Sequence, residues 1–424
     1  MKRPTVALLL ALLVTPPVLA KGTLAAKKSA IPAPVSTLKE AAPGIRYAYV
    51  ETYDLARLRG ILTTGLRAFL TGSPYPAEEL VDKLKDVPQV PVRIYRVEYD
   101  SMIPEQGNKP VLGTGLVAIP VTPTKTLPIV SYQHGTVFGR EEVPSMLANS
   151  YETMASVAVF ASQGFVVTGA DYFGLGGSTQ APNSYGVPGS TEQACLDMLK
   201  AARAVMKAEG LTPSQLFVNG WSQGGYNTLR FLKRLEMAGE PVTAASTASA
   251  PTDVHLWIGR LLTNPQPGDA IWLVGCASNL MMAADSYSAP GFAASVIRPE
   301  YMDSARRFYT FQMSWPEYAK TLPATLQDYF KPEFLASFRY GTNPFWEKLD
   351  ASENYRWAVQ TPLRNYYGEA DEAIPVDIAL MPSRVAKLLG TGTTAVSAGP
   401  KADHRATYLY SLTELPAWYR SFMK

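Results

Sequence analysis

Apolar and polar positions change rhythm several times along the chain, and those changes predict its elements. Over residues 47–86 the apolar side chains recur at helical spacing, with Leu55, Leu58, Ile61, Leu62 and Leu66 on one stripe. Alternating stretches at 92–99 and 111–119, separated by a turn holding Gly107, Asn108, Lys109 and Pro110, predict a pair of strands. A third strand, 127–132, runs into Gln133, His134, Gly135 and Thr136. A helix over 150–163 leads to a strand at 165–171. Ser190, Thr191, Glu192 and Gln193 read as a capping box that opens a helix to 207, closed by Gly210. The apolar run 215–221 breaks at Gly220 and passes at once into a helical pattern carried by Leu229, Leu232 and Leu235. Small residues make a short strand at 244–251. The rhythm then stops over 252–361 and resumes as strand 362–368, helix 377–389, strand 393–398 and helix 406–422. Strands alternating with helices pair in parallel, so the expected class is α/β with a doubly wound, mostly parallel sheet.

The first twenty residues stand outside this plan. Met1, Lys2 and Arg3 form a basic start, an apolar run from Val6 to Val14 follows, and Val18, Leu19 and Ala20 give a small-residue cleavage pattern. The run is too short to span a bilayer, so a cleaved export signal over 1–20 is expected, with a secreted or periplasmic mature protein. Residues 21–43, rich in Ala, Lys, Ser and Pro, read as a flexible leader. The expected domain plan is a core over 44–251 and 362–424, with 252–361 as an insertion.

Composition narrows the function. With 424 residues and 47% hydrophobic content the chain can bury a large core. A net charge of +3, with no basic run interleaved with aromatics, argues against nucleic acid and towards a neutral small-molecule partner. Neither Cys195 nor Cys276 has a Cys or His at metal-ligand spacing, so no metal site is expected, and no cofactor. Cys195, on the apolar stripe of its helix, either packs as a buried thiol or bridges to Cys276 in the insertion; both readings stay open.

Gly220, Trp221, Ser222, Gln223 and Gly224 make the pattern G-x-S-x-G between a strand and a helix, the nucleophile elbow of serine hydrolases. A serine hydroxyl is a poor nucleophile and must be held exposed on a sharp turn within reach of a base; the glycines leave room for that turn, and the Gln223 N–H is left facing the oxyanion. On such a sheet the acid and then the base follow on later loops. Of three histidines, His134 precedes the serine and His255 follows it too closely, which leaves His404, just before the last helix, as base. Glu369, Asp371 and Glu372 follow the second-last strand; Asp371, backed by Ile374 and Pro375, best fits the acid, with Glu369 and Glu372 solvated and Asp253 a distant rival. A second oxyanion donor is sought either at Gly135 and Thr136 or at the turn of Asp171 and Tyr172.

Taken in series, Ser131–Thr136, Ala170–Gly174, Gly220–Gly225, Gly368–Pro375 and Ala402–Ala406 resemble the secretory lipase family, which comprises fungal lipase A-type enzymes and related bacterial esterases. The resemblance spans most of the mature chain. It implies an α/β-hydrolase fold with a cap, residues 252–361, inserted after the sixth strand. It also implies Ser222, Asp371 and His404 as nucleophile, acid and base, and Asp171 as a contributor to the oxyanion hole, although the His134-Gly135-Thr136 stretch departs from the fungal pattern. The thirteen aromatics from Tyr301 to Trp346 would give the cap its own core and also furnish part of a substrate pocket. The expected function is therefore a serine carboxylic-ester hydrolase, an esterase or lipase acting on a small-molecule or lipid ester, with the cap meeting any lipid surface transiently. A prolyl-peptidase-type serine peptidase and a non-catalytic envelope protein that kept the fold are the alternatives.

Overall fold

The computed structural model describes residues 37–423. Ten strands form one mixed sheet in the order β1-β2-β3-β4-β6-β5-β7-β8-β9-β10. β1 (Lys39–Ala42), β2 (Ile45–Tyr53), β3 (Val92–Ile103) and β4 (Lys109–Pro120) pair antiparallel, and β4 meets β6 (Val166–Ala170) in the same sense. From β6 onward β5 (Thr126–Gln133), β7 (Thr212–Trp221), β8 (Ala244–Ala248), β9 (Leu363–Tyr367) and β10 (Thr393–Ser397) all pair in parallel.

The parallel half is buried on both faces, which is why its strands read as nearly continuous apolar runs. Helices Pro188–Ala208 and Gln223–Met237 cover one face through Met198, Leu199, Leu229 and Leu232. Helices Tyr151–Phe160 and His404–Arg420 cover the other through Val157, Phe160, Tyr408 and Leu412. Because the strands run the same way, the loops after β5, β7, β9 and β10 emerge at one edge, where sites form in open α/β sheets.

Three expectations about elements are corrected. Helix begins at Leu55, where Asp54 caps it by accepting the Arg57 N–H at 2.8 Å; the β-branched and aromatic residues before it form β2 instead. The export signal and most of the leader lie outside the described residues, but Lys39–Ala42 is strand β1 rather than leader. The helix expected from Ser190 starts at Pro188, whose fixed φ suits a first turn, and Ser190 uses both its N–H and its hydroxyl on Glu105.

Between β8 and β9 lie eight helices, from Val254–Thr263 to Pro344–Ala351. The aromatics from Tyr301 to Trp346 stack on one another, as Phe308 on Tyr318 at 4.3 Å and Phe334 on Trp346 at 4.9 Å. Among the described residues no helix is long and apolar enough to cross a membrane.

Candidate active site

Ser222 sits between β7 and helix Gln223–Met237 with φ 57° and ψ −125°, a conformation that costs about 1–3 kcal/mol and persists only where the surroundings impose it. The surroundings do so through hydrogen bonds. Ser222 N–H donates to Ala248 O of β8 at 2.9 Å, and Ser222 O accepts from Gly225 and Tyr226 N–H at 2.9 and 3.1 Å. The flanking glycines are required for space. A Cβ on Gly220 would stand 2.3 Å from Gly224 O, and one on Gly224 would stand 1.9 Å from Gln133 O.

Ser222 Oγ–H donates to His404 Nε2 at 2.8 Å, and His404 Nδ1–H donates to the Asp371 carboxylate at 3.0 and 3.1 Å. Three residues distant in the chain thus form one chain of hydrogen bonds. His404 is the first residue of its helix, where a backbone N–H lacks an intrahelical partner. Glu372 supplies one, its Oε2 accepting the His404 N–H at 3.1 Å, so Glu372 is half-buried and engaged rather than solvated. Trp221 fixes the other side, its Nε1–H donating to His404 O at 3.0 Å. Asp371 is held by the N–H groups of Ala373 and Ile374, both at 2.9 Å to Oδ1. Gly368 brings the acid turn against the base loop, since a Cβ there would meet Ala402 O at 2.2 Å.

The charges follow. Burial alone would raise the Asp371 carboxyl, but the charge and N–H of His404 overcome it and hold Asp371 below the ordinary carboxylate range. Burial alone would lower His404, yet the Asp371 charge and hydrogen bond, with Glu372 behind them, hold the imidazole above its ordinary value. Burial raises the Glu372 carboxyl.

The other candidates lie elsewhere. Glu369 is exposed and accepts from Ser397 Oγ at 2.7 Å. Asp253 caps helix Val254–Thr263 and accepts from Tyr355 O–H at 2.8 Å, which removes it as a rival acid. His255 bonds Asp350 and stacks on Trp346. His134 is fully buried at the start of the loop after β5.

The oxyanion candidates separate by their N–H groups. Asp171 is corrected: its N–H donates to Thr114 O at 2.9 Å, and its carboxylate accepts from Thr114 Oγ1 at 2.6 Å and Ser145 N–H at 2.8 Å, so it has no free donor. Gly135 is also engaged, its N–H donating to Glu152 Oε1 at 2.8 Å. The N–H groups of Thr136 and Gln223 donate to no protein acceptor among the described residues, and both residues line the cavity beside Ser222. Two free amides flanking a nucleophile are what a tetrahedral oxyanion requires.

The empty space there, open solvent at the mouth included, amounts to about 570 Å³, and among the described residues no Asp, Glu, Lys, Arg or His lines it. Trp257 and Trp272 of the cap, Tyr185 and Tyr226 of the core, and Leu280, Leu349 and Ile374 form most of its wall. None of the aromatics from Tyr301 to Trp346 reaches it, contrary to expectation; they lie among their own kind, and the cap's share of the wall comes from helices Val254–Thr263, Trp272–Tyr287 and Pro344–Ala351. Trp272 tilts over His404 at 5.5 Å, and Trp257 Nε1–H donates to Ala373 O in the acid turn at 2.8 Å. Cys276 also lines the cavity; burial pushes its thiol up to about 11. Cys195 and Cys276 are both free and buried, so the bridge between them is not formed.

Comparison with known proteins bears on the fold. A model of the prolyl oligopeptidase family matches residues 151–263, a segment that contains the elbow and ends in the first cap helix. No curated protein sequence matches the chain. Among solved structures it is similar to a hydrolase from Legionella pneumophila, with 21% identity and a TM-score of 0.75 over 89% of this chain and 97% of that one. The rice cell wall degrading esterase LipA from Xanthomonas oryzae gives 20% identity and 0.72 over 91% and 97%. Candida antarctica lipase A in its closed state gives 16% identity and 0.62 over 78% of each chain. A hydrolase, an esterase and a lipase thus share its architecture, and the chain has the α/β-hydrolase fold.

Proposed function

We propose that the protein is a serine carboxylic-ester hydrolase that cleaves esters with neutral, apolar acyl groups through an acyl-enzyme. One observation carries the reading: the hydrogen-bond chain Asp371–His404–Ser222 opens onto a cavity walled by aromatic and aliphatic side chains with no charged residue. His404 Nε2 takes the Ser222 proton as Oγ attacks the ester carbonyl, and Asp371 stabilises the imidazolium that forms. The Thr136 and Gln223 N–H groups receive the oxyanion. His404 returns the proton to the leaving alcohol, and water then releases the acid by the same route. We further place the protein outside the cytoplasm, on the strength of its first twenty residues.

A peptidase reading has one observation in its favour, the prolyl oligopeptidase family match over 151–263. A single set of assays separates the two. Hydrolysis of p-nitrophenyl esters of increasing chain length, with aminoacyl-anilides in parallel, is expected to show ester turnover that Ser222→Ala lowers by several orders of magnitude without unfolding the protein. Anilide turnover exceeding that of every ester would favour the peptidase, and ester turnover surviving in pure Ser222→Ala would remove the assignment.

A further inference from the structure

His134, Glu152 and Asp171 are buried behind Ser222 and take no part in the proposed reaction. Asp171 is committed to Thr114 and Ser145. Glu152 differs. It stands in the first turn of helix Tyr151–Phe160, where an acidic side chain ordinarily serves the free amides of its own helix. Here Oε1 accepts the Gly135 N–H at 2.8 Å, and Oε2 has no partner among the described residues. A buried polar oxygen left without a partner is destabilising, so this carboxyl is a poor device for stability alone.

The bond falls where it matters for the loop after β5. Gly135 C=O and Thr136 N–H belong to one peptide unit, planar and trans, so they point in opposite directions. Burial lowers the His134 imidazole towards its neutral form, which has one N–H to give, and the shorter of its two carbonyl contacts is Nδ1 to Gly135 O at 2.8 Å. His134 therefore holds the carbonyl end of that unit and turns the Thr136 N–H away from itself. Glu152 holds the N–H on the other side of Gly135, so rotation about both backbone bonds of this residue is restrained. The fit is close, since a Cβ on Gly135 would lie 3.0 Å from Glu152 Oε2 and 3.1 Å from Trp221 Cε3. The base helix is tied to the backbone that carries Glu152, Tyr408 O–H donating to the Glu152 main-chain O at 2.5 Å.

We propose that Glu152 is a positioning residue of this site, its carboxyl clamping Gly135 so that the Thr136 N–H meets the oxyanion beside the Gln223 N–H. This rests on the ester-hydrolase reading above. Burial pushes the Glu152 carboxyl up to about 8, so near neutral pH the uncharged acid prevails and no negative charge opposes the oxyanion. The groups that face it are the Tyr132, Tyr172 and Tyr408 phenols and the His134 imidazole, with the Glu142 and His404 charges also acting on it. Glutamine at this position keeps the acceptor and the shape of the uncharged acid.

The test measures kcat and KM separately for p-nitrophenyl ester hydrolysis, together with inhibition by a trifluoromethyl ketone, which adds to serine and generates an oxyanion. Glu152→Ala is expected to lose about 10- to 100-fold in kcat with KM nearly unchanged, and to weaken the ketone by a similar factor. Glu152→Gln should stay within about threefold of wild type, because the acceptor remains. Wild-type kcat in Glu152→Ala overturns the proposal, as does a loss in Glu152→Gln as large as in Glu152→Ala. Should Glu152→Ala not fold, Glu152→Asp decides, since it draws the carboxyl back by one methylene; full kcat there also overturns it. The two readings fail separately. Turnover surviving Ser222→Ala removes the ester-hydrolase assignment, whereas Ser222-dependent turnover that ignores every Glu152 variant removes this inference alone.

Discussion

Replacing Asp371 by Asn tests the hydrogen-bond chain at its least replaceable link. Asp371 Oδ1 accepts two backbone N–H groups, from Ala373 and Ile374 at 2.9 Å each. An asparagine must keep its carbonyl oxygen on those donors, which turns its NH₂ group towards His404 Nδ1. An NH₂ that donates to Nδ1 moves the ring proton to Nε2, and Nε2 then presents a donor to Ser222 Oγ where it must present a lone pair. A wrong tautomer of this kind in a serine triad costs ~10⁴-fold in kcat, about 5.4 kcal/mol. The pH profile changes as well. The base works unprotonated, so wild-type activity rises with pH through a His404 value held above that of a free imidazole. Asn removes the charge that holds it there, so the residual activity should rise at lower pH than in wild type. Steady-state ester hydrolysis across pH 5–9 measures both effects. Glu369→Gln, at an exposed side chain, should leave kcat unchanged, and Glu372→Gln should fall between, because it touches only the His404 backbone. Equal losses in the three variants would refute the assignment of Asp371.

Two further predictions concern the fold around the site. Gly224→Ala should abolish turnover and lower the melting temperature, because its Cβ would meet Gln133 O at 1.9 Å and His134 O at 2.7 Å, backbone that cannot give way. Gly60→Ala, with nothing within 4 Å, should be neutral or stabilising by up to about 1 kcal/mol; Gly224→Ala melting like wild type would show that the elbow tolerates bulk. The native protein should react slowly with thiol reagents, since burial raises both thiols, and should expose two thiols on unfolding without reductant. Thiols that emerge only after reduction would restore the bridge.

The triad residues could be proposed from sequence because each follows a strand whose apolar run is conspicuous, and chain order then leaves one histidine and one cluster of carboxylates. The strands of the parallel half were legible for the same reason, whereas β2 was not: the stripe that begins at Leu55 invites extension backwards over a segment whose aromatics pair across β3. The oxyanion donors were beyond reach. They are backbone amides, which every residue but proline carries, and what selects Thr136 over Gly135 and Asp171 is which amides are already engaged. Glu152 left no signal either, since an acidic residue in a first helical turn is ordinary and its acceptor role depends on a loop 17 residues earlier in the chain. The cap aromatics misled because abundance marked a core of their own, while the cavity wall came from Trp257 and Trp272, isolated in sequence.

The division of labour between sheet and cap follows from these placements. The proposed chemistry would stand on loops whose geometry is over-determined: Ser222 by backbone bonds and excluded volume, His404 by Trp221 and Glu372, Asp371 by two amides. The part of the cavity wall that the cap supplies can change its side chains without touching that machinery, which is how one fold serves many substrates. The separation is incomplete at one point. Trp257, a wall residue, donates to Ala373 O, and the neighbouring Ala373 N–H donates to Asp371. The cap helix that shapes the pocket is thereby tied to the turn that carries the acid. A substrate that displaces Trp257 must strain the acid turn, so the wall at this position bears on kcat as well as on KM.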